Sequence, residues 1–76
     1  MTLENLAKIA VGEKVRLNAI HGGKLLKRRL MSLGICIGSE FEIVNQRKDG
    51  VVLARDGNRV ALGAGIIDKL LVEKIK

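Results

Sequence analysis

A mainly β domain, curled into a small, partly open barrel of about five strands with one amphipathic helix, follows from three observations. Apolar and polar residues alternate over residues 13–20 and again over 40–43, the period of a half-buried strand. The second half of the chain is punctuated by the turn dipeptides Asp49-Gly50 and Asp56-Gly57. Between these regions, a single stretch carries leucines at helical spacing, Leu26, Leu30 and Leu33. Strands this short leave backbone edges to cover, and curling into a barrel covers most of them.

Each element has its own signal. Leu3, Leu6 and Ala10 recur at near-helical spacing behind Thr2, a good N-cap, and Gly12 ends that short helix or turn. In residues 13–20, Val15, Leu17 and Ala19 alternate with Lys14, Arg16 and Asn18, which predicts a strand with the first set inward. Gly22-Gly23 breaks it. The helix that follows turns its leucine stripe inward and Lys24, Lys27 and Arg28 outward, and Gly34 closes it from the C′ position. Phe41 and Ile43 alternate with Glu40 and Glu42, and then come Val51-Val52-Leu53-Ala54, the Asp56-Gly57-Asn58 turn and Arg59-Val60-Ala61-Leu62, a meander of three strands. Residues 63–68 read as a short helical turn and residues 70–75 as a closing strand. The whole, residues 1–76, is one domain, because a chain of 76 residues has room for one small core and not for two.

Composition restricts function. Fourteen Lys and Arg against eight Asp and Glu give a net charge of +6, which suits an acidic partner of some kind and equally the solubility of a small apolar domain. The only aromatic residue is Phe41, in the inward register of its strand, so a base-stacking platform for single-stranded nucleic acid is missing. Cys36 stands alone, which fits a reducing compartment. The longest run free of charged or strongly polar side chains, residues 60–67, is far short of the about 20 residues of a membrane span. With no basic, apolar leader at the start, a cytoplasmic location is expected.

No nucleophile, base and orienter fall into a catalytic pattern, so the expectation is a non-enzyme without cofactor. His21, Cys36, Asp49 and Asp56 form no cluster in sequence, and no metal site is expected. Gly22, Gly23 and Lys24 open a helix and form a weak candidate for anion binding, but the P-loop pattern is absent. The main candidate is a partner-binding surface: the cations Lys24, Lys27 and Arg28 bordered by Leu25, Met31, Ile35 and Ile37. So small a core cannot take in all of these aliphatic side chains as well as Leu26, Leu30, Leu33 and Phe41. The alternatives are a basic nucleic-acid-binding or repressor-like module and a structural adaptor that self-associates.

The runs Gly12-Glu13-Lys14-Val15-Arg16-Leu17, Ile20-His21-Gly22-Gly23, Arg29-Leu30-Met31-Ser32-Leu33-Gly34-Ile35 and Gly38-Ser39-Glu40-Phe41-Glu42-Ile43-Val44 resemble the FeoA family. These are small cytosolic proteins of bacterial ferrous iron uptake. The likeness continues through Val60-Ala61-Leu62 and Leu70-Leu71-Val72-Glu73, and its most specific element is Arg29-Leu30 to Leu33-Gly34 with Gly38 four residues on. The resemblance implies an SH3-like barrel and a partner, the membrane iron permease FeoB with its cytosolic GTP-binding domain. The same barrel resembles the C-terminal domain of iron-dependent repressors. Two departures fall at turns: where the family usually has proline before the glycines matching Gly12 and Gly38, Val11 and Ile37 stand here, which loosens these corners without changing the fold. Cys36 is also foreign to the pattern.

Overall fold

The computed structural model describes residues 3–75. Thr2, the expected first cap, lies outside them. The N-terminal segment is β1 (Glu4–Asn5) followed by one 3₁₀ turn, Leu6–Lys8. The helical spacing of Leu3, Leu6 and Ala10 is not used. Instead, the Asn5 side chain caps the turn, its Oδ1 accepting from the Ala7 amide at 2.9 Å, and the tight 3₁₀ geometry puts Leu6 and Ile9 in the core.

The remaining elements are β2 (Lys14–Ile20), α1 (Lys24–Ser32), β3 (Glu40–Arg47), β4 (Gly50–Arg55), β5 (Asn58–Gly63), α2 (Ala64–Ile67) and β6 (Leu70–Ile75). The six strands form one antiparallel sheet in the order β1-β6-β2-β3-β4-β5. The expected five strands are present, and β1 is an additional two-residue strand on β6. This is a mainly β fold, consistent with a small, partly open SH3-like barrel. No helix of the described residues is long and apolar enough to cross a membrane.

Two register shifts bend the sheet around its core, one between Leu17 and Ala19 against β6 and one between Ile43 and Asn45 against β4. An extra residue strengthens the local twist and changes which residues point inward. Val15 and Leu17 therefore face the core as the alternation predicts, whereas beyond the shift it is Ile20 that packs against the core rather than Ala19. The two-residue hairpin at Asp56-Gly57 has both central residues at positive φ, +48° and +83°, the type I′ pattern. At the other hairpin the turn is Lys48-Asp49, one residue earlier than the dipeptide suggests, and Gly50 is already paired with Gly63. A Cβ at Gly50 would lie 2.4 Å from the Leu62 carbonyl oxygen, so what this glycine provides is close approach of β4 and β5.

The core contains Leu6, Ile9, Val15, Leu17, Leu30, Ile35, Phe41, Ile43, Val51, Leu53, Leu62, Ile67, Leu70 and Val72. It is aliphatic apart from Phe41. Leu33, expected in this core, is 44% exposed, and Ile35, expected on the surface, takes its place; the end of α1 explains both.

Candidate partner-docking surface

Gly23 is the N-cap of α1 in an extended conformation, φ −79° and ψ −177°, with no side-chain cap, and its carbonyl accepts from the Lys27 amide at 3.2 Å. Neither Gly22 nor Gly23 has a positive φ, so this corner does not need glycine for its dihedrals. At the other end, the Ile35 amide bonds back to the Leu30 carbonyl at 2.8 Å and the Gly34 amide to the Met31 carbonyl at 2.9 Å, with Gly34 at φ +83°. That is a Schellman motif. It reverses the chain at Gly34, and the accompanying apolar contact places Ile35 over Leu30. Ile35 is 3% exposed and is thereby removed from the surface set, while Leu33 turns outward.

What is left on α1 is an outward arc of mixed character. Only Leu30 is fully buried and Leu26 packs partly on the core. Leu25 is 82% exposed and Met31 65%, and Ile37, in the turn beyond the helix, is 58% exposed. Lys24, Lys27, Arg28 and Arg29 are all exposed, and among the described residues none of the four makes an ion pair. Arg29 did not stand out in the sequence as part of this surface. The signal that finds it is the distribution of acids: residues 14–39 contain none, and all eight fall outside that stretch, where eight cations balance them. The net +6 therefore arises from residues 14–39, and four of the six cations there sit on α1.

The acids elsewhere serve the sheet. Arg16 stands opposite Glu40 on β3 and Glu73 on β6. Its Nη2 lies 2.8 Å from Glu40 Oε2 and its Nη1 3.1 Å from the nearly buried Glu73 Oε1. The hydrogen bond and attraction of Glu40, followed by those of Glu73, raise the guanidinium pKa further. Lys74 lies 3.4 Å from Glu13 Oε2 and 3.7 Å from Glu4 Oε2. The ammonium is held above its ordinary pKa by the close Glu13 carboxylate first, then by the charge of Glu4. Charge is compensated on this face and uncompensated on α1.

A shallow cleft of about 210 Å³ separates the C-terminal end of α1 from the β4–β5 hairpin, with Leu33, Phe41, Leu53 and Val60 in its lining. Arg55 spans it, Nη1 donating to the Gly34 carbonyl and Nε lying 3.6 Å from Asp56 Oδ2. The guanidinium thus serves the negative end of the helix dipole. His21, Cys36, Asp49 and Asp56 are not brought together: among the described residues no three His, Cys, Asp or Glu side chains lie in a metal-holding group. Cys36 Sγ is 3.3 Å from Ser39 Oγ, which also accepts from the Cys36 amide at 3.1 Å. These contacts close the turn before β3.

The FeoA domain model matches residues 4–74. A "Putative Fe(2+) transport protein A" of Methanocaldococcus jannaschii is 34% identical over 68 residues, 90% of this chain and 83% of the relative. Among solved structures, a crystal structure of the iron uptake regulatory protein FeoA superposes with a TM-score of 0.89 at 24% identity, over 97% of this chain and 100% of the other. A FeoA-like protein from Clostridium acetobutylicum gives 0.83 at 25% identity, over 100% of this chain and 92% of the other. A manganese-dependent transcriptional repressor bound to manganese gives 0.89 at 19% identity, but this chain spans only 38% of it, so that likeness concerns one domain of the repressor and its fold.

Proposed function

We propose, from the premise that this chain belongs to the FeoA family and so has a role in ferrous iron transport, that it is a non-catalytic accessory that docks to the cytosolic part of the FeoB permease. The observation that carries this reading is α1. A fold that neutralises its sheet face leaves four cations unpaired on nine helical residues, and sets Leu25, Met31 and Ile37 among and beside them in the solvent. Exposed aliphatic groups bordered by cations suit a protein interface. The aliphatic side chains supply affinity, and the cations steer and orient. Docking changes transport by favouring one conformation of the permease, because a ligand shifts an equilibrium only through unequal affinity for its states.

Lys27→Glu with Arg28→Glu tests the charge component. Both side chains are exposed, so the fold is retained. Affinity for the purified cytosolic part of the permease, measured by calorimetry, is expected to fall by about tenfold or more at low salt and to lose most of its dependence on ionic strength. Equal affinity and an equal salt slope for parent and variant would remove this reading of α1.

A further inference from the structure

We infer that α1 also binds an anionic lipid surface directly, with its cations at the headgroups and Leu25 inserted among them, so that the chain is a peripheral membrane binder on its own. Lys24 to Arg29 span about 7.5 Å of helix axis at 1.5 Å per residue. That is within the Debye length of about 8 Å at physiological ionic strength, so the four charges act together. Arg28 and Arg29 stand three and four residues after Leu25, which places the most exposed leucine one helical turn from two guanidinium groups and next to Lys24 in sequence.

Three observations select lipid over other polyanions. Leu25, 82% exposed beside the cations, gains nothing against a phosphate backbone, whereas a headgroup layer takes up an apolar side chain in any register. Phe41, the only Phe, Tyr or Trp side chain, is buried, which leaves no aromatic platform of the usual kind for stacking on bases. The acid-free stretch 14–39 contributes no like charge of its own to repel an anionic surface, and Glu4, Glu13, Glu40 and Glu73 are held in ion pairs with Arg16 and Lys74. Each cation at an anionic bilayer strengthens partitioning by about fivefold. The contact is peripheral, since neither helix is long enough to span.

The inference goes beyond permease docking and is tested without any permease. The full chain is mixed with vesicles of phosphatidylcholine alone or with about one third phosphatidylglycerol, and the bound fraction is read by flotation at rising salt. Binding confined to the anionic vesicles and weakening with salt is expected. Lys27→Glu with Arg28→Glu should lower partitioning by about 25-fold or more, since two favourable charges are lost and two repulsive ones added. Leu25→Ser should lower it several-fold while leaving the far-UV circular dichroism unchanged. Absence of preference for anionic vesicles at low salt would overturn the inference. So would binding to heparin as tight as to the vesicles with Leu25→Ser affecting neither, which would make α1 an unselective polyanion site. Failure here leaves docking to the soluble part of the permease intact, and failure of that docking leaves vesicle binding intact.

Discussion

Replacing Ile35 by alanine separates what holds the fold from what lies free on its surface. Ile35 is 3% exposed and seals the Schellman turn over Leu30. Truncation removes three buried carbon atoms, about 2.4 kcal/mol at about 0.8 kcal/mol each. An unfilled cavity raises the expected loss to about 3 kcal/mol. For a domain of this size each kcal/mol lowers the melting temperature by about 4–8 °C, so a drop of more than 10 °C is expected. Leu25→Ala, at the most exposed leucine, should change stability by less than about 0.5 kcal/mol, and Leu33→Ala should fall between the two. The chain has no Trp or Tyr, so urea unfolding is followed by far-UV circular dichroism at constant m-value. A loss at Ile35 under about 0.5 kcal/mol, or a larger loss at Leu33 than at Ile35, would refute the assignment of the helix end and restore Ile35 to the docking surface.

Other substitutions test other parts of the account. Gly50→Ala drives a Cβ to 2.4 Å from the Leu62 carbonyl; the forced separation of β4 and β5 should cost about 1–3 kcal/mol in the same unfolding assay, and a neutral result would show that the strands need no such approach. Val11 precedes Gly12, at φ +94°, in a turn closed by the Glu13 amide on the Ala10 carbonyl at 3.3 Å, the position of a type II turn that favours proline. Val11→Pro should therefore stabilise by about 0.4–1 kcal/mol, seen as a melting temperature a few degrees higher, and a lower one would contradict the turn assignment. The Lys74 ammonium is held above its ordinary pKa in the folded chain by Glu13 and then Glu4. Its stabilisation is thus complete below the unfolded value of about 10.4 and lost as pH rises through the higher folded value. Lys74→Met should have a lower urea midpoint than the parent at pH 7, with the gap closing above about pH 10.4. A gap that stays constant would mean that the pair contributes by packing of the stem and not by charge.

Local chemistry is legible in this chain, and long-range pairing is less so. The alternation through Phe41 and Ile43, the type I′ turn at Asp56-Gly57 and the helix stop at Gly34 are each determined by a few neighbouring residues, and each stands where the sequence puts it. The exchange of Leu33 for Ile35 was not legible from helical spacing, because it depends on the chain reversing direction at Gly34. The purpose of Gly50 was hidden for a different reason: it is set by Gly63 and Leu62, more than ten residues away in sequence. Register shifts near Asn18 and Val44 change which side chains face inward, and no periodicity records them in advance. The docking candidates were legible as a cationic helix with surplus aliphatic residues. The part of Arg29 was legible in the absence of acids from residues 14–39, and the ion pairs of the sheet agree with it by leaving the cations of α1 without an acid.

The most direct test of the central claim is an amide chemical-shift titration of the labelled chain with the purified cytosolic part of the permease, at low and moderate salt. The account predicts saturable shifts along Lys24–Ser32 and at Ile37, weaker at moderate salt, with the outer face around Arg16 and Lys74 unmoved. Shifts confined to that outer face, or none in a folded chain against a nucleotide-loaded partner, would contradict it.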